Sequence, residues 1–226
     1  MRTADSPLWA TAKTIEVRRL RAYAVQHAGG NALLQGNPER AGKLVDYYDG
    51  LCRKVGLDTV LVVCQTWHET SMWESRWFEE YRNPAGIGVS GARSLLPLPG
   101  YQYMPVSDSV KKYMRGVAYP SYAVAAMAHV HGLAMWAGLP VASILDPRYT
   151  KYMYTPPKAA RGSARTVIEL GYAYNPRKIG WAHPGRALYV GKRGGTDYRV
   201  INAEEARSLQ KTYGHSIARL ANTVLA

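Results

Sequence analysis

The sequence predicts a mainly helical protein with one small irregular or β-hairpin lobe. Helical patterns with capping signals recur along the chain, whereas strand-like stretches are few and short. With 226 residues, the chain is long enough to bury one substantial core. We therefore predict a loose N-terminal arm over residues 1–12 and a single domain over residues 13–226.

Six segments are predicted to be helical, and the third has the clearest start. Asp58 is a plausible N-cap, and the apolar run behind it ends in Trp67-His68-Glu69-Thr70. Residues 92–117 are predicted to form the small irregular or β-hairpin lobe. Residues 177–198 are rich in Gly, Lys, Arg and Tyr, which indicates an insertion. We place this insertion at about residues 182–205 and expect it to form a β-hairpin. The predicted helices span residues 14–28, 38–55, 58–70, 121–137, 164–170 and 203–225.

Glu69 is the main candidate for catalysis. It falls in the last turn of the third predicted helix, at the negative end of the helix dipole, and Trp67, Trp73 and Trp77 are close in sequence. Both the dipole and desolvation disfavour an ionised carboxylate, so we expect a raised pKa. A carboxyl group that keeps its proton near neutral pH suits general acid catalysis of sugar hydrolysis.

A glycine-rich loop follows at Asn83-Pro84-Ala85-Gly86-Ile87-Gly88-Val89-Ser90-Gly91. Pro84 fixes one φ, and the glycines permit positive φ and let a ligand approach the main chain closely. The letters also match the G-x-G-x-x-G pattern of nucleotide sites. Because the loop follows a helix rather than a strand, a nucleotide site is not expected.

The His68-Glu69-Thr70 motif and this loop resemble, in the same order, the glucosaminidase family of lysozyme-like fold. That family is named for mannosyl-glycoprotein endo-β-N-acetylglucosaminidase and includes flagellar and phage peptidoglycan hydrolases. The resemblance spans about Tyr23 to Leu225 and implies a lysozyme-like layout, with a groove between a helical body and a small lobe. Further segments that resemble the family, the later ones its phage-type members, are Tyr119-Pro120-Ser121-Tyr122, Asp146-Pro147-Arg148-Tyr149, Arg161-Gly162-Ser163-Ala164, Gly180-Trp181-Ala182 and Tyr213-Gly214-His215-Ser216-Ile217.

The resemblance implies roles for individual residues. Glu69 takes the position of the family's catalytic acid, and Tyr119 or Tyr122 that of an aromatic partner that orients a water or an N-acetyl group. Members with two acids often carry a glutamate where this chain has Tyr101-Gln102-Tyr103. Asp108 is then the nearest candidate base or nucleophile, although its Ser-Asp-Ser context also favours a turn or N-cap. Without a second carboxylate, a retaining or inverting course is not assigned.

Other residues are predicted to bind the substrate along the groove. Tyrosine and tryptophan combine an apolar ring with a polar group, which suits a half-hydrated sugar site. The predicted substrate-binding residues are Trp67, His68, Trp73, Asn83, Ala85, Gly86, Ile87, Gly88 and Tyr103, with Trp77 and Trp181 as further groove candidates.

The charge predicts an anionic partner. The chain carries 29 Lys and Arg against 16 Asp and Glu, a formal net charge of +13, which draws a protein toward anionic surfaces in a salt-dependent way. Peptidoglycan and its associated anionic wall polymers fit this charge, and we expect a monomer. A basic nucleic-acid-binding protein is an alternative, but no helix-turn-helix, zinc-finger or RNP-type signature supports it.

No metal or other cofactor is predicted. A zincin motif at His68-Glu69 needs a histidine where Met72 stands, and His129 and His131 point in different directions on their helix. Cys52 and Cys64 are expected to be buried thiols rather than a disulfide, which fits folding in a reducing cytoplasm.

No signal peptide and no membrane span are predicted. The expected context is a protein made in the cytoplasm that acts at the cell wall, as a phage endolysin, a virion-associated lysin or a protein exported by a dedicated route. The predicted activity is cleavage of peptidoglycan as an N-acetylglucosaminidase. The alternatives are a muramidase or lytic transglycosylase on the same substrate, a non-catalytic wall-binding or virion structural module, and the nucleic-acid-binding protein.

Overall fold

The computed structural model describes residues 1–27, 37–87, 90–92, 101–107, 112–171, 174–178, 181, 188–190, 199–201, 203–210 and 212–226. The fold is mainly helical, as the sequence predicts. The α-helices in these ranges are α1 (Thr14–His27), α2 (Glu39–Val55), α3 (Thr59–Thr70), α4 (Arg76–Tyr81), α5 (Tyr122–Ala137), α6 (Ala203–Ser208) and α7 (Tyr213–Leu225).

The starts of three helices follow from local side-chain caps. The Asp58 carboxylate accepts hydrogen bonds from the backbone N–H groups of Val60 and Leu61 at the start of α3. Ser121 caps α5 and Thr212 caps α7 in the same way. Such caps satisfy backbone donors that the first turn of a helix leaves without a partner.

Helix α3 lies at the centre of the core. It packs against α1, α2 and α7, and α2 in turn packs against α1 and α5. Its residues from Thr59 to Trp67 are all buried. An apolar run that is buried on every side explains why α3 shows so little amphipathic pattern. Its last turn, which carries His68 and Glu69, reaches the surface.

The N-terminal segment is not the loose arm that the sequence suggested. The Arg2 guanidinium forms ion pairs with Glu16 at 2.9 Å and with the buried carboxylate of Asp58 at 2.7 Å. The side chains of Ala4 and Leu8 are buried in the same region. These contacts fix the segment against α1 and the start of α3.

The prediction of a helix over residues 164–170 is wrong except for a single 3-10 turn at Ile168–Leu170. Here the backbone pairs with the N-terminal segment, since the N–H of Val167 donates to the carbonyl of Ser6 and that of Ile168 to the carbonyl of Ala4. Backbone groups that are bonded across the chain are not available for a helical ladder.

The predicted helix over residues 203–225 is two helices, α6 and α7, which the Thr212 cap separates. Helix α4 was not predicted. Further 3-10 helices lie at Ala142–Ile144, Pro147–Tyr152 and Lys158–Ala160.

The small lobe is an antiparallel sheet. Strands β1 (Ser90–Ala92), β2 (Tyr101–Ser107) and β3 (Lys112–Val117) pair in the order β1-β3-β2, with Tyr103 opposite Arg115. A second antiparallel pair consists of β4 (Leu188–Val190) and β5 (Arg199–Ile201), within the region where an insertion was predicted. None of the helices in the described ranges is long and apolar enough to cross a bilayer.

Candidate active site

Glu69 is presented by a left-handed turn that ends α3. The three residues after Thr70, which are Ser71, Met72 and Trp73, all have positive φ, of 52°, 60° and 69°. This conformation is unfavourable for residues with a Cβ atom. Two hydrogen bonds of Trp73 hold the turn, because its backbone N–H donates to the Thr70 hydroxyl at 3.0 Å and its indole N–H to the Thr66 hydroxyl at 2.8 Å.

The Glu69 carboxyl group is partly exposed, and its surroundings favour the protonated form. Burial raises the pKa of Glu69 to about 7, and a hydrogen bond from the Tyr213 hydroxyl opposes this rise. The direction agrees with the expectation from the sequence. Among the described residues, no second carboxylate contributes to this shift. A carboxyl group with this pKa is divided between acid and base forms at neutral pH, as a proton donor requires.

Behind Glu69, a chain of hydrogen bonds leads into the core. Tyr213 donates to Oε1 of Glu69, and its hydroxyl oxygen accepts a bond of 2.9 Å from Nε2 of Gln65. Oε1 of Gln65 lies 3.1 Å from Nε2 of His129, and Nδ1 of that ring lies 3.3 Å from the Tyr48 hydroxyl. The chain joins α2, α3, α5 and α7.

The proton positions in this chain follow from the chemistry of its members. Burial lowers the pKa of His129 to about 3, so the ring is neutral and carries one N–H. Because the Gln65 carbonyl only accepts, that N–H is on Nε2, and Nδ1 accepts from Tyr48. Every hydroxyl and N–H therefore donates toward Glu69. Aligned donors polarise one another and strengthen the last bond of the chain.

His68 lies on the exposed side of α3, beside the same tyrosine. Its ring makes an edge contact with the Tyr213 ring, with centroids 5.2 Å apart. Partial desolvation and the positive charge of Arg219 lower the pKa of His68. The ring is thus beside the tyrosine that bonds the candidate acid, and it is exposed to solvent.

Comparison of the chain with family models, curated proteins and solved structures gave no match. The family resemblance and the residue roles that it implies therefore stay predictions.

The loop after α4 is organised by Asn83, which is fully buried. Its amide group donates to the carbonyl oxygens of Ile87 at 2.9 Å and Val117 at 3.0 Å, and its oxygen accepts from the backbone N–H of Ile87 at 2.8 Å. All of these partners are main-chain atoms. Asn83 therefore shapes the loop and connects it to β3, and its burial does not agree with the predicted contact to substrate.

The side chains of Ala85 and Ile87 are also buried, in a cluster with Tyr119 and residues of α5. Gly86 has a φ of 59° and is partly exposed, so the loop presents backbone rather than side chains at this point. A close approach of a ligand to the main chain at Gly86 is compatible with this geometry.

Three of the predicted aromatic site residues belong to the core. Trp67, Trp73 and Tyr119 are exposed by 2% or less. The rings of Trp67 and Trp73 make an edge contact, and Trp73 stacks on Phe78. Their burial contradicts the predicted contacts with sugar, and the Trp73 hydrogen bonds assign it to the turn that follows Glu69.

The other aromatic candidates are partly exposed. Trp77 lies against Tyr81 on α4, and Trp181 packs between His129 and Tyr154. Tyr122, the first residue of α5, contacts Phe78 and lines an open pocket of about 480 Å3. In the described part of the chain, Glu69 is not among the residues that line this pocket.

Three predicted site residues are not fully described. Gly88 and Asp108 lie outside the described residues, and so does the side chain of Tyr103, whose backbone belongs to β2. Cys52 and Cys64 are free buried thiols, as predicted. Within the described ranges, no group of three or more His, Cys, Asp or Glu side chains is arranged to hold a metal ion.

Two residues of the Glu69 environment were given no role from the sequence. In the sequence, Tyr213 stands out only as part of a C-terminal motif, and Gln65 only as one residue of an apolar run. Gln65 had a detectable signal, since it is the polar residue one helical turn before Glu69 and shares its face of α3. The distance in sequence between Tyr213 and Glu69 hid their contact.

Proposed function

We propose that the protein is a glycoside hydrolase of lysozyme-like fold that cleaves β-1,4 bonds in the glycan strands of peptidoglycan, as an N-acetylglucosaminidase. The observation that carries this proposal is the state of Glu69, a partly exposed carboxyl group whose pKa is raised to about 7 and which a directed hydrogen-bond chain supports. The motif resemblance supplies the substrate class, and the formal charge of +13 favours an anionic wall.

In the proposed mechanism, Glu69 protonates the leaving glycosidic oxygen. The Tyr213 hydroxyl donates to Oε1, so the transferable proton of the neutral acid is on Oε2. When that proton leaves, the same hydrogen bond stabilises the carboxylate that forms. A water, or the N-acetyl oxygen of the substrate, attacks the anomeric carbon as the bond to the leaving oxygen breaks. The exposed backbone at Gly86 is the proposed contact for sugar amide and hydroxyl groups.

Substrate assistance and lytic transglycosylation both fit the environment of Glu69, because one acid suffices for either chemistry. In the described residues, Glu69 is the acid whose pKa is raised into the neutral range. In lytic transglycosylation, the sugar's own hydroxyl attacks and forms a 1,6-anhydro product. Product analysis separates these reactions.

The test is digestion of purified peptidoglycan by the wild type, Glu69→Gln and Glu74→Gln, followed by mass spectrometry of borohydride-reduced products. Glu74 is exposed in the turn after α3 and serves as the matched control. We expect reduced N-acetylglucosamine ends from the wild type and Glu74→Gln, and at least a hundredfold less from Glu69→Gln. Reduced muramic ends would reassign the activity to a muramidase, and anhydro ends to a lytic transglycosylase.

A folded wild type that releases no fragments would overturn the catalytic proposal. Sedimentation with intact sacculi would then support a wall-binding or virion structural module. Salt-dependent binding to DNA or RNA, without binding to sacculi, would support the nucleic-acid alternative.

A further inference from the structure

In the described part of the chain, Glu69 does not line the pocket beside Tyr122, and this pocket has no part in the proposed chemistry. It has a volume of about 480 Å3 and lies between the first half of α2, the end of α4 and the start of α5. Its lining combines three basic side chains with one acidic side chain, Glu79. A concave surface with this excess of positive charge attracts an anionic group.

The three basic side chains in the lining come from two elements of the fold. Arg40 and Lys43 are on the first half of α2, and Arg82 is the residue that ends α4. Arg82 is held in place, because its Nη1 donates to the carbonyl oxygen of Tyr119 at 2.8 Å. A guanidinium group that uses one N–H for this hydrogen bond still has other N–H groups to donate. Guanidinium groups bind carboxylates through two parallel hydrogen bonds.

Tyr122 connects the cations to an apolar wall. Burial raises the pKa of Tyr122 to about 12, and the negative charge of Glu79 acts in the same direction, while the positive charges of Arg82 and Arg40 oppose it. These three charged groups line the same pocket as Tyr122. The rings of Tyr122 and Tyr47, together with Leu44, form the apolar part of the lining. The positive end of the α5 dipole, which begins at Tyr122, adds to the field in the pocket.

The lining indicates the kind of ligand. A small, strongly hydrated anion gains nothing from aromatic and aliphatic walls, whereas an anionic group on an apolar body uses both parts. Glu79 disfavours ligands with several negative charges on one group, such as a phosphate. The pocket thus fits a carboxylate on a ligand that also has apolar groups.

The pocket is also next to the loop that is proposed to bind the sugar. Arg82 is followed directly by Asn83, which organises that loop, and Arg82 is bonded to Tyr119 at the end of the lobe. A ligand that reached from the loop to the pocket would follow the chain from Gly86 back to Arg82. A glycan strand with peptide branches has this form.

We propose that this pocket binds a carboxylate of the stem peptide attached to muramic acid. The choice of the stem peptide as source rests on the proposed function, whereas the preference for a carboxylate rests on the lining of the pocket. Binding at this site would hold the glycan by its branch and let the enzyme select strands that still carry peptides.

The experiment measures equilibrium binding of N-acetylmuramyl-L-alanyl-D-isoglutamine by isothermal titration calorimetry, with all proteins in a Glu69→Gln background. This background excludes turnover. Because binding is measured directly, the result does not depend on whether the wild type hydrolyses glycan. Lys43 is exposed, and Lys43→Met removes its charge with little effect on folding. Lys54→Met, on the exposed surface at the other end of α2, is the control with the same net charge.

We expect saturable binding that Lys43→Met weakens about five- to tenfold and Lys43→Glu weakens further, with no change for Lys54→Met. The analogue in which the peptide carboxylate is amidated should bind the unchanged pocket about as weakly as the intact peptide binds the Lys43→Glu variant. Absence of saturable binding, or equal losses for Lys43→Met and Lys54→Met, would overturn the proposal. Equally strong competition by glycerol phosphate would also overturn it, since the site would then recognise phosphate.

Discussion

The Tyr213 hydroxyl donates a hydrogen bond to Oε1 of Glu69, although 144 residues separate the two in the sequence. The contact joins the first residue of α7 to the last turn of α3, two helices that pack side by side in the core. Desolvation raises the pKa of Glu69, and Tyr213 limits the rise. The acid strength of Glu69 is therefore set by two helices rather than by the helix that carries it.

Replacing Tyr213 with phenylalanine should raise the pKa of Glu69 further. The variant removes the donor that stabilises the carboxylate and leaves the desolvation unchanged. Since a hydrogen bond to a charged group contributes about 1.5 to 3 kcal/mol, we expect the pKa of Glu69 to rise by about one to two units. The alkaline limb of the activity profile should move to higher pH by the same amount. Carbon NMR of the Glu69 side chain measures the pKa without reference to activity.

Tyr174→Phe is the control for this change, because the Tyr174 hydroxyl donates to the carbonyl of Ala203 and has no contact to Glu69 among its described interactions. Its pH profile should match that of the wild type. An unchanged or lower Glu69 pKa in Tyr213→Phe would show that the tyrosine does not stabilise the carboxylate.

Replacing Glu69 with glutamine should stabilise the protein in a pH-dependent way. The folded protein keeps the Glu69 proton up to about pH 7, whereas the unfolded chain releases it near the ordinary value of 4.5. Ionisation therefore lowers the stability of the wild type as pH rises from 4.5 to 7, and the loss is complete above pH 7. Below 4.5 both states are protonated, and glutamine is a close mimic of the neutral acid.

We expect Glu69→Gln and the wild type to have similar free energies of unfolding at pH 4. At pH 8 the variant should be more stable by roughly 3 kcal/mol. Urea unfolding at pH 4, 6 and 8 measures the difference, and the other titrating groups cancel because both proteins share them. A difference that does not change with pH would contradict the raised pKa.

The elements that the sequence predicted well are those with local signals. The bounds of α3 and α5 follow from Asp58 and Ser121, whose side chains cap the helices that were expected to start there. The segment over residues 164–170 lacked such a signal, and long-range pairing with the N-terminal segment replaced the expected helix. Helix α4 was missed because it is a six-residue helix, too short for its periodicity to stand out.

In the candidate site, too, local features were predictable from the sequence and long-range contacts were not. The raised pKa of Glu69 was expected from its place on the helix and from nearby tryptophans. Those tryptophans act differently from the prediction, however, because Trp67 and Trp73 are buried and contribute to the core and the turn rather than to a sugar surface. The proximity of Tyr213 and His129 to this site depends on how distant helices pack, which a single sequence does not encode locally.

Replacing Ser71 with glycine should stabilise the turn that follows Glu69. Ser71 is exposed and has a φ of 52°, and its backbone N–H caps α3 by donating to the carbonyl of Trp67. Glycine adopts this conformation without the steric penalty of a Cβ atom. We expect a gain of about 1 kcal/mol, which corresponds to roughly 2 to 4 °C in melting temperature for a chain of this size. The gain should be visible by calorimetry.

Thr70→Gly is the comparison for Ser71→Gly, because Thr70 is buried at the end of α3 and its hydroxyl bonds the turn. Glycine there should lower the melting temperature. A destabilising Ser71→Gly would mean that the serine side chain contributes more to the turn than its backbone conformation costs.

Replacing Gly214 with alanine should disturb the site through the packing of α7. A Cβ atom at position 214 would lie 2.7 Å from Cα and 2.8 Å from N of Ile168, and these backbone atoms cannot move aside locally. Helix α7 would have to shift, at a loss of about 1 to 3 kcal/mol. Because Tyr213 precedes Gly214 directly, the shift should also weaken its bond to Glu69 and raise the pKa of that carboxyl group.

Gly50→Ala is the matched control, since Gly50 is an exposed residue of α2 with no atom near the added methyl group. It should stabilise the protein by up to about 1 kcal/mol through helix propensity and leave the pKa of Glu69 unchanged. If Gly214→Ala lowered the melting temperature without moving that pKa, the docking of α7 and the Tyr213 contact would be independent, and the link between helix packing and acid strength would be wrong.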